Sequence, residues 1–390
     1  MSLPLAGIKV VDFATVLAGP FTTMLLADQG AEVIKIESPG GDSARGMGRV
    51  PDSDLSFSFL AFNRNKRSIA LDITKPAELQ VAHRLCEWAD IIVTNMRVDT
   101  RRRRGFTYEQ LSALNPRLIY VSLTGYGDDG PEANLPGADI TVQARIGDIA
   151  ERRLEGQPPP PHTQLFHIDM ATSMLTAFAV TLALRERDQT GQGQKIETSL
   201  LQTGLSLHAC QMTRVVGVDD RYGGPITGLP QTYRCADGRY ILSQYINLER
   251  RWESLCDVLG VDELVSDPRF ATIEGRRAHT EEIAGILTRL FLTRPAAEWE
   301  TILKGAEHMM SMVKEIDEVF DDPQVIANGM LTRFQQPGVG EVLGLAPPFR
   351  MSSTAGASWF RRPAPAIGEH TDEILRELGL PARDQLRAPD

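Results

Sequence analysis

Cysteine is scarce in this sequence, and its four cysteines, Cys86, Cys210, Cys235 and Cys256, are irregularly spaced. No Cys-x-x-Cys pair occurs among them. Paired cysteines at regular spacing are typical of disulfide frameworks and of zinc sites, so neither is predicted here. We expect free thiols that are buried in the folded protein.

Long hydrophobic runs are also missing from the sequence. No apolar stretch approaches the roughly 18 residues that a membrane span requires, and no secretory signal opens the chain. We therefore expect a cytoplasmic protein with no membrane partner.

Positive charge is in deficit as well. The sequence has 41 lysine and arginine residues and 51 acidic residues, which gives a net charge of −10. This balance argues against a nucleic acid partner.

The composition is otherwise that of an ordinary globular protein, with 42% apolar and 24% charged residues. A chain of 390 residues is long enough for two domains, or for one large domain with an insertion.

The segment 63–104 is basic although the whole chain is acidic, because it holds ten basic residues and five acidic ones. A basic region on an acidic protein suits a small polyanionic ligand, although a solvated charged face would have the same composition.

The first half of the chain alternates short β-branched runs with helical patterns. The pattern predicts strands over 8–13, 32–37, 68–72, 90–94, 118–124 and 195–199, and helices over 20–29, 76–88 and 200–216. Strands and helices that alternate with short connections indicate a parallel sheet covered on both faces. The fold class predicted is therefore α/β.

A dinucleotide-binding site is a natural hypothesis for such a fold, because Glu37 ends the second strand, where a ribose-binding acid would lie. The first turn argues against it. Leu17-Ala18-Gly19-Pro20 carries one glycine where the phosphate-binding fingerprint needs three, and Pro20 lacks the N–H that would hold a pyrophosphate. We expect neither a nicotinamide nor a flavin cofactor.

Beyond the glycines at 223–224 the pattern changes. A hairpin is predicted over 233–245, followed by helices over 249–259, 280–292 and 296–304, which together indicate a smaller α+β domain. Near the end of the chain, Thr371 is positioned to cap a last helix.

Asp169 stands immediately before an apolar run, 174–184, that is typical of a long buried helix ending near the glycine-containing turn 190–194. A glycine-rich loop, 125–137, and a proline tract, 158–161, precede it. Asp is a preferred N-cap residue, and capping alone would explain its position. The helix start would also favour the ionised carboxylate that nucleophilic catalysis requires.

Several segments together carry a family resemblance. They are Leu5–Asp12 with Ala18-Gly19-Pro20, Gly30–Glu37, Gly40-Gly41-Asp42, Asn63–Asp72, Asn115–Tyr120, Thr190–Lys195 and Gly368–Asp372. In this order they resemble the family III CoA-transferases, which include formyl-CoA:oxalate and carnitine CoA-transferases and have α-methylacyl-CoA racemases as relatives. The resemblance runs nearly from one end of the chain to the other.

The resemblance implies a Rossmann-like large domain built from both chain ends, 1–224 and 326–390, with the smaller α+β domain, 225–325, inserted. It also implies an interlocked homodimer. The ligand would be coenzyme A, carried as an acyl-CoA and exchanged with a carboxylic acid, and no metal would be needed.

The resemblance further implies that Asp169 is the nucleophile, which forms an aspartyl anhydride and then an aspartyl-CoA thioester. The implied CoA contacts are Val16, Leu17 and Ala18 in the first turn; Leu71, Asp72, Ile73 and Thr74; Asn95, Met96, Arg97 and Arg103; and Gly137, Ala138 and Asp139 nearest the thioester.

The sequence departs from the family pattern at Ser38, where the formyl-CoA enzyme has a CoA-contacting arginine. The segment 137–140 also lacks the histidine of the racemases, which disfavours two-base proton transfer. An acyl-CoA racemase or epimerase and a non-catalytic CoA-binding protein remain the alternatives to a CoA-transferase. The residues do not indicate the acyl donor or the acceptor.

Overall fold

A computed structural model describes residues 2–153, 157, 158, 165–218, 229–245, 248–354 and 358–386. The chain divides into two compact units, one formed by 1–212 and 329–390 and the other by 213–328. The sequence placed these boundaries at 224/225 and 325/326. The first of these positions lies outside the described residues, as do the glycines at 223–224 and most of the proline tract 158–161.

A six-stranded parallel sheet organises the first unit and confirms the predicted α/β class. Its strands are β1 (Lys9–Asp12), β2 (Glu32–Glu37), β3 (Lys66–Ala70), β4 (Ile91–Thr94), β5 (Ile119–Thr124) and β6 (Gln194–Ser199). They lie in the order β3-β2-β1-β4-β5-β6. At the centre, Val10 pairs with Val33 on one side and Ile91 on the other. Strands β4 and β5 are buried along their whole length, because both faces of the sheet are covered there.

Helices cover the two faces of this sheet. Along the chain they are α1 (Ala18–Asp28), α2 (Phe57–Phe62), α3 (Pro76–Trp88), α4 (Val98–Arg104), α5 (Tyr108–Ser112), α6 (Asp139–Arg145), α7 (Asp148–Glu151), α8 (His167–Thr190), α9 (Leu200–Leu207) and α10 (Ala209–Met212). On one face Leu85 of α3 packs with Ile34 and Ile92. On the other face Val180 of α8 packs with Leu26 of α1 and with Val33, the β2 neighbour of Ile34.

The second unit has its own core. It contains a three-stranded antiparallel sheet and seven helices among its described residues: β7 (Thr232–Arg234), β8 (Tyr240–Ser243), α11 (Leu248–Leu259), α12 (Glu263–Ser266), α13 (Ile273–Ala278), α14 (Thr280–Phe291), α15 (Ala296–Gly305), β9 (Met310–Met312), α16 (Ile316–Val319) and α17 (Pro323–Ala327). The predicted hairpin is present as β7 and β8. Leu255, Ile283, Phe291 and Trp299 are buried at the centre of this unit.

The chain then returns to the first unit with a hairpin and two short helices, β10 (Leu331–Gln336), β11 (Gly340–Leu345), α18 (Thr371–Glu377) and α19 (Arg383–Leu386). Ile374 and Leu375 of α18 join the core beside α3. The predicted cap was wrong, because His370 is the N-cap and Thr371 is the first helical residue. The Thr371 hydroxyl instead donates to the Gly368 carbonyl at 2.7 Å.

Helix α8 differs from the long buried helix that the sequence predicted. Val180 is fully buried, but the opposite side exposes Met174, Leu175, Phe178 and Leu182. Among the described residues it is the one helix long and apolar enough to cross a membrane by length and composition, with a mean hydropathy of 1.4 in its most apolar window. The expectation that no apolar run approaches the length of a membrane span was therefore wrong. Core helices of globular proteins can have the same length and composition, so the absence of a membrane partner stays a prediction.

The cysteines are free thiols in the described part of the chain, as predicted. Cys86, Cys235 and Cys256 are buried, and burial raises the pKa of the Cys256 thiol to about 12. Cys210 on α10 is exposed, which contradicts the expectation for that residue. Helix α9 also ends at Leu207, earlier than the predicted 216.

Two glycines close the loop between β5 and α6. A Cβ atom on Gly125 would lie 2.5 Å from the Cα of Gly137, and one on Gly137 would lie 2.4 Å from the Cα of Gly125. Real Cβ contacts are never this short, so the two backbones cross where neither residue can carry a side chain. This crossing sets the position from which α6 begins at Asp139.

Replacing Gly137 with alanine should therefore destabilise the first unit. The added methyl group meets backbone rather than a flexible side chain, and overpacking of this kind costs about 2 kcal/mol, or a decrease in Tm of roughly 5 °C. Differential scanning calorimetry measures the change. Gly46→Ala is the matched control, because a Cβ there would meet no atom within 4 Å; equal Tm values for the two variants would contradict the crossing.

Candidate active site

The residues predicted to form the site lie at one edge of the sheet. Val16, Leu17 and Ala18 follow β1; Leu71, Asp72, Ile73 and Thr74 follow β3; Asn95, Met96, Arg97 and Arg103 follow β4; and Gly137, Ala138 and Asp139 follow β5. The strands are parallel, so their carboxyl ends meet at the same edge, where open α/β sheets commonly bind ligands.

Asp169 is the third residue of α8 and not its N-cap, which is Phe166. Its side chain is 9% exposed, and its carboxylate has no hydrogen-bond donor in the part of the chain that the structure describes. Its backbone N–H donates to Oδ2 of Asp139 at 2.8 Å. Asp139 therefore satisfies a first-turn N–H group of α8, the role that the sequence had given to Asp169.

Burial, reinforced by the adjacent Asp139 carboxylate, raises the pKa of Asp169 to about 7. The expectation that the helix start keeps this group ionised was wrong. The helix begins at His167, so Asp169 lies within its first turn, and loss of water and the neighbouring negative charge both oppose ionisation. A substantial fraction of the group is ionised only near neutral pH and above.

A hydroxyl group holds the start of α1 beside Asp169. Ser173 Oγ lies 2.7 Å from the Asp169 carbonyl oxygen and 2.8 Å from the Ala18 carbonyl oxygen. The Thr22 hydroxyl of α1 donates in turn to the Ser173 carbonyl at 3.3 Å. The first turn, which the sequence assigned to CoA binding, therefore adjoins the proposed nucleophile.

Asn95 ties the end of β4 to the loop after β1. Its Nδ2 donates to the Thr15 carbonyl at 2.9 Å, and its Oδ1 accepts from the Thr15 N–H at 3.1 Å. The Asn95 amide thus holds the backbone of this loop, and its contact with CoA stays a prediction. The sequence could not reveal this role, because the two residues are 80 positions apart.

The segment after β3 forms the turn into α3. Asp72 accepts hydrogen bonds from the N–H and the hydroxyl of Thr74, and these bonds lower the pKa of its carboxyl group. Leu71 is buried, whereas Asp72 and Ile73 are partly exposed. These residues lie at the same edge of the sheet as Asp169, and the Asp72 N–H donates to Oε2 of Glu78 in α3 at 2.7 Å.

The arginines of α4, residues 101–104, differ in their surroundings. Arg101 is buried and pairs with Asp128 at 2.6 Å while donating to the Ser122 hydroxyl at 2.6 Å. Lys195 pairs with the other oxygen of Asp128 at 3.0 Å. Arg101 therefore links α4 to the sheet, and the exposed Arg103 is free to meet an anionic ligand.

The described residues contain no group of three or more His, Cys, Asp and Glu side chains that could hold a metal ion. The arrangement at the sheet edge is instead a buried carboxylate, a clamped backbone loop and an exposed arginine. Such a set can bind an anionic thioester and attack it with a carboxylate oxygen.

A family profile described as CoA-transferase family III matches residues 5–371. The chain belongs to CoA-transferase family III. It is 33% identical over 389 residues to a succinate–glutarate CoA-transferase of Agrobacterium fabrum, covering 96% of each chain. It is 31% identical to an acetyl-CoA:oxalate CoA-transferase of Acetobacter aceti, covering 97% of this chain and 96% of the other.

Solved structures agree with the family assignment. The fold matches that of a CaiB/BaiF family protein from Brucella suis with a TM-score of 0.84 at 31% identity, covering 97% of this chain and 100% of the other. A second match is Rv3272 from Mycobacterium tuberculosis, with a TM-score of 0.84 at 30% identity, covering 96% and 99% of the two chains. Both matches extend over at least 96% of this chain.

Replacing Asp169 with asparagine should stabilise this CoA-transferase family member at alkaline pH. The folded-state pKa of about 7 exceeds the ordinary value of 3.8, so the folded protein binds the proton more tightly and loses stability as pH rises through this interval. The Asp169→Asn side chain does not ionise, so the variant does not lose this stability as the pH rises. Its free energy of unfolding should exceed that of the wild type by about 4 kcal/mol above pH 7, with no difference at acidic pH.

Thermal unfolding followed by calorimetry across this pH range measures the effect. Asp188→Asn is the matched control, because Asp188 lies exposed on the same helix and its replacement should leave the curve unchanged. Parallel curves for the wild type and Asp169→Asn would contradict the burial of the ionised group.

Proposed function

We propose that the protein transfers CoA from an acyl-CoA thioester to a carboxylic acid through covalent intermediates on Asp169. The observation that carries this proposal is the buried Asp169 carboxylate, which has no hydrogen-bond donor in the described residues and adjoins the start of α1. Membership of CoA-transferase family III supports the reaction class.

The reaction begins when a carboxylate oxygen of Asp169 attacks the thioester carbon. The C–S bond breaks, CoA leaves as the thiolate, and an acyl-aspartyl anhydride remains. The thiolate then attacks the aspartyl carbonyl of the anhydride, which releases the donor acid and forms an aspartyl-CoA thioester. An acceptor carboxylate repeats the sequence in reverse, so acyl-CoA departs and Asp169 is regenerated.

The surroundings of Asp169 suit this chemistry. A carboxylate that accepts no hydrogen bonds is a stronger nucleophile than a solvated one, and at its pKa of about 7 the ionised form is available at neutral pH. Each tetrahedral intermediate develops an oxyanion, which backbone N–H groups near the first turn or the glycine loop would stabilise. The turnover rate should rise as Asp169 loses its proton.

The substrates belong to the class of short carboxylic acids and their CoA esters. Two relatives are named for succinate, glutarate, oxalate and acetyl-CoA. A matrix of these CoA esters against these acids, with products identified by mass, is therefore the first screen of donor and acceptor.

An acyl-CoA racemase is the second candidate, since racemases are relatives of this family. Such an enzyme exchanges the proton on the α-carbon, so deuterium incorporation from D2O would favour it. Ala138 stands in the segment where racemases carry a histidine base, which leaves the two-base mechanism without one partner.

We also infer that the protein acts as an interlocked homodimer. The first unit exposes a series of large apolar side chains on α8, α9 and α10, namely Met174, Leu175, Phe178, Leu182, Leu205, Leu207 and Met212. Exposed apolar area of this kind is typical of a protein–protein interface. Analytical ultracentrifugation tests the inference, and a monomer at micromolar concentration would contradict it.

Replacing Asp169 with alanine should abolish transfer and leave CoA affinity near the wild-type value. Removing the nucleophile eliminates the covalent route, whereas the phosphates of CoA bind elsewhere along the sheet edge. Hydroxylamine added during turnover should convert Asp169 of the wild type to a hydroxamate, which peptide mass spectrometry locates. Undiminished turnover in the variant would refute the mechanism, and the absence of any acyl-enzyme would favour the non-catalytic CoA-binding protein.

Replacing Arg103 with alanine should weaken CoA binding by about fivefold, because an exposed guanidinium that pairs with a phosphate contributes roughly 1 kcal/mol. Isothermal titration calorimetry with CoA measures the change, which should shrink at high salt. Arg102→Ala is the matched control on the same helix, since Arg102 is exposed and 3.9 Å from Asp99. Equal losses in the two variants would remove Arg103 from the site.

A further inference from the structure

Val16 adopts a backbone conformation that a β-branched residue rarely tolerates. Its φ angle is +72°, in the left-handed region. Such a conformation persists only where the surrounding structure imposes it. Val16 is half-buried and directly precedes Leu17 and Ala18, where α1 begins beside Asp169.

Side chains from two other loops hold the backbone around Val16. The Val16 N–H donates to Oδ1 of Asp42 at 3.0 Å. The N–H and carbonyl of Thr15 both bond to the amide of Asn95. The carbonyl of Ala14 accepts from Nζ of Lys35 at 2.7 Å. The three consecutive residues that lead into the first turn are therefore each fixed by a side chain distant in sequence.

Asp42 is itself firmly held. It is 3% exposed, and its Oδ2 lies 2.8 Å from Nζ of the fully buried Lys35. Its backbone N–H donates to Oε2 of Glu37 at 3.0 Å, and its Oδ1 also accepts from the Ala44 N–H. Because Lys35 and Ala44 fix the Asp42 carboxylate, this carboxylate can in turn hold the Val16 peptide in one conformation.

We propose that Asp42 is a positioning residue for CoA: it holds Val16 in the left-handed conformation so that the Leu17–Ala18 backbone meets the thioester beside Asp169. This inference rests on the proposed function. Ala18 is already fixed to the first turn of α8 through Ser173, so Val16 is the remaining point at which the loop could turn away. Asp42 acts through the backbone and does not touch the reacting atoms.

The first experiment compares Asp42→Ala with Asp42→Asn by calorimetric titration with CoA. Without an acceptor for its N–H, Val16 relaxes to negative φ, and the competent loop becomes a minor conformer. The Kd for CoA should rise by about tenfold to 100-fold. Asparagine keeps the acceptor oxygen, so Asp42→Asn should bind CoA within about threefold of the wild type even if its Tm falls.

A second-site change separates positioning from stability. Glycine adopts positive φ without strain, so the double variant Asp42→Ala/Val16→Gly should recover most of the CoA affinity of Val16→Gly alone, which is the reference because Val16 is itself an expected CoA contact. Asp28→Asn is the control for buried charge, because Asp28 pairs with Arg64 at the far end of α1. It should lower Tm and leave the Kd for CoA unchanged. If Asp42→Ala does not fold, Asp42→Ser replaces it, since its hydroxyl is too short to reach Val16.

The outcomes are distinguishable. Wild-type affinity for CoA in Asp42→Ala or Asp42→Ser would overturn the role of Asp42 and leave the proposed transferase intact. A double variant that binds CoA far more weakly than Val16→Gly alone would also overturn it. A wild-type protein that binds no CoA would instead overturn the proposed function, and this inference with it.

Discussion

The site depends on one constraint: the Asp169 carboxylate is withdrawn from water and has no hydrogen-bond donor among the residues that the structure describes. Burying such a group opposes folding, and the opposition grows when a second carboxylate lies beside it. Asp139 is that second group, yet it also accepts the Asp169 N–H. Asp139 therefore both holds the backbone of Asp169 and raises the pKa of its carboxyl group, and the rest of the fold must supply the stability that this arrangement costs.

The stability comes from the sheet and the two helices that bring the site together. Val180 of α8 and Leu26 of α1 pack on the same face of the sheet, which aligns the starts of both helices at its carboxyl edge. The Ser173 hydroxyl then joins the Ala18 and Asp169 carbonyl groups. Apolar packing sets the approximate position of the helices, and a few directed hydrogen bonds set the position of Asp169.

The sequence was sufficient for the fold class and most strands, because β-branched runs between short turns mark buried parallel strands. Helix α3, predicted over 76–88, begins and ends at those residues. Local pattern failed where distant groups decide the outcome. Thr371 is of a residue type that often caps helices, but it lies inside its helix. Helix α8 was expected to be buried, although one side of it is exposed.

The site was predicted only in part, again because the local sequence does not show which distant groups are adjacent in the fold. The resemblance identified Asp169 and placed Asp139 nearest the thioester, whereas the burial of Asp169 and the hydrogen bond between the two residues do not follow from the local sequence. The hydrogen bonds between the Asn95 amide and the Thr15 backbone were not predicted, because the two residues are distant in sequence. The left-handed Val16 left no trace in the sequence, because glycine, the usual mark of positive φ, is absent there.

The crossing of Gly125 and Gly137 closes the intervening segment into a loop whose two ends touch. The interior of this loop is tied to the rest of the first unit at Asp128, which pairs with Arg101 and Lys195, and at Glu132, which pairs with Arg145 of α6. Because the ends are held together, an insertion between Asp128 and Glu132 would enlarge the rim of the sheet edge and leave the start of α6 at Asp139 in place.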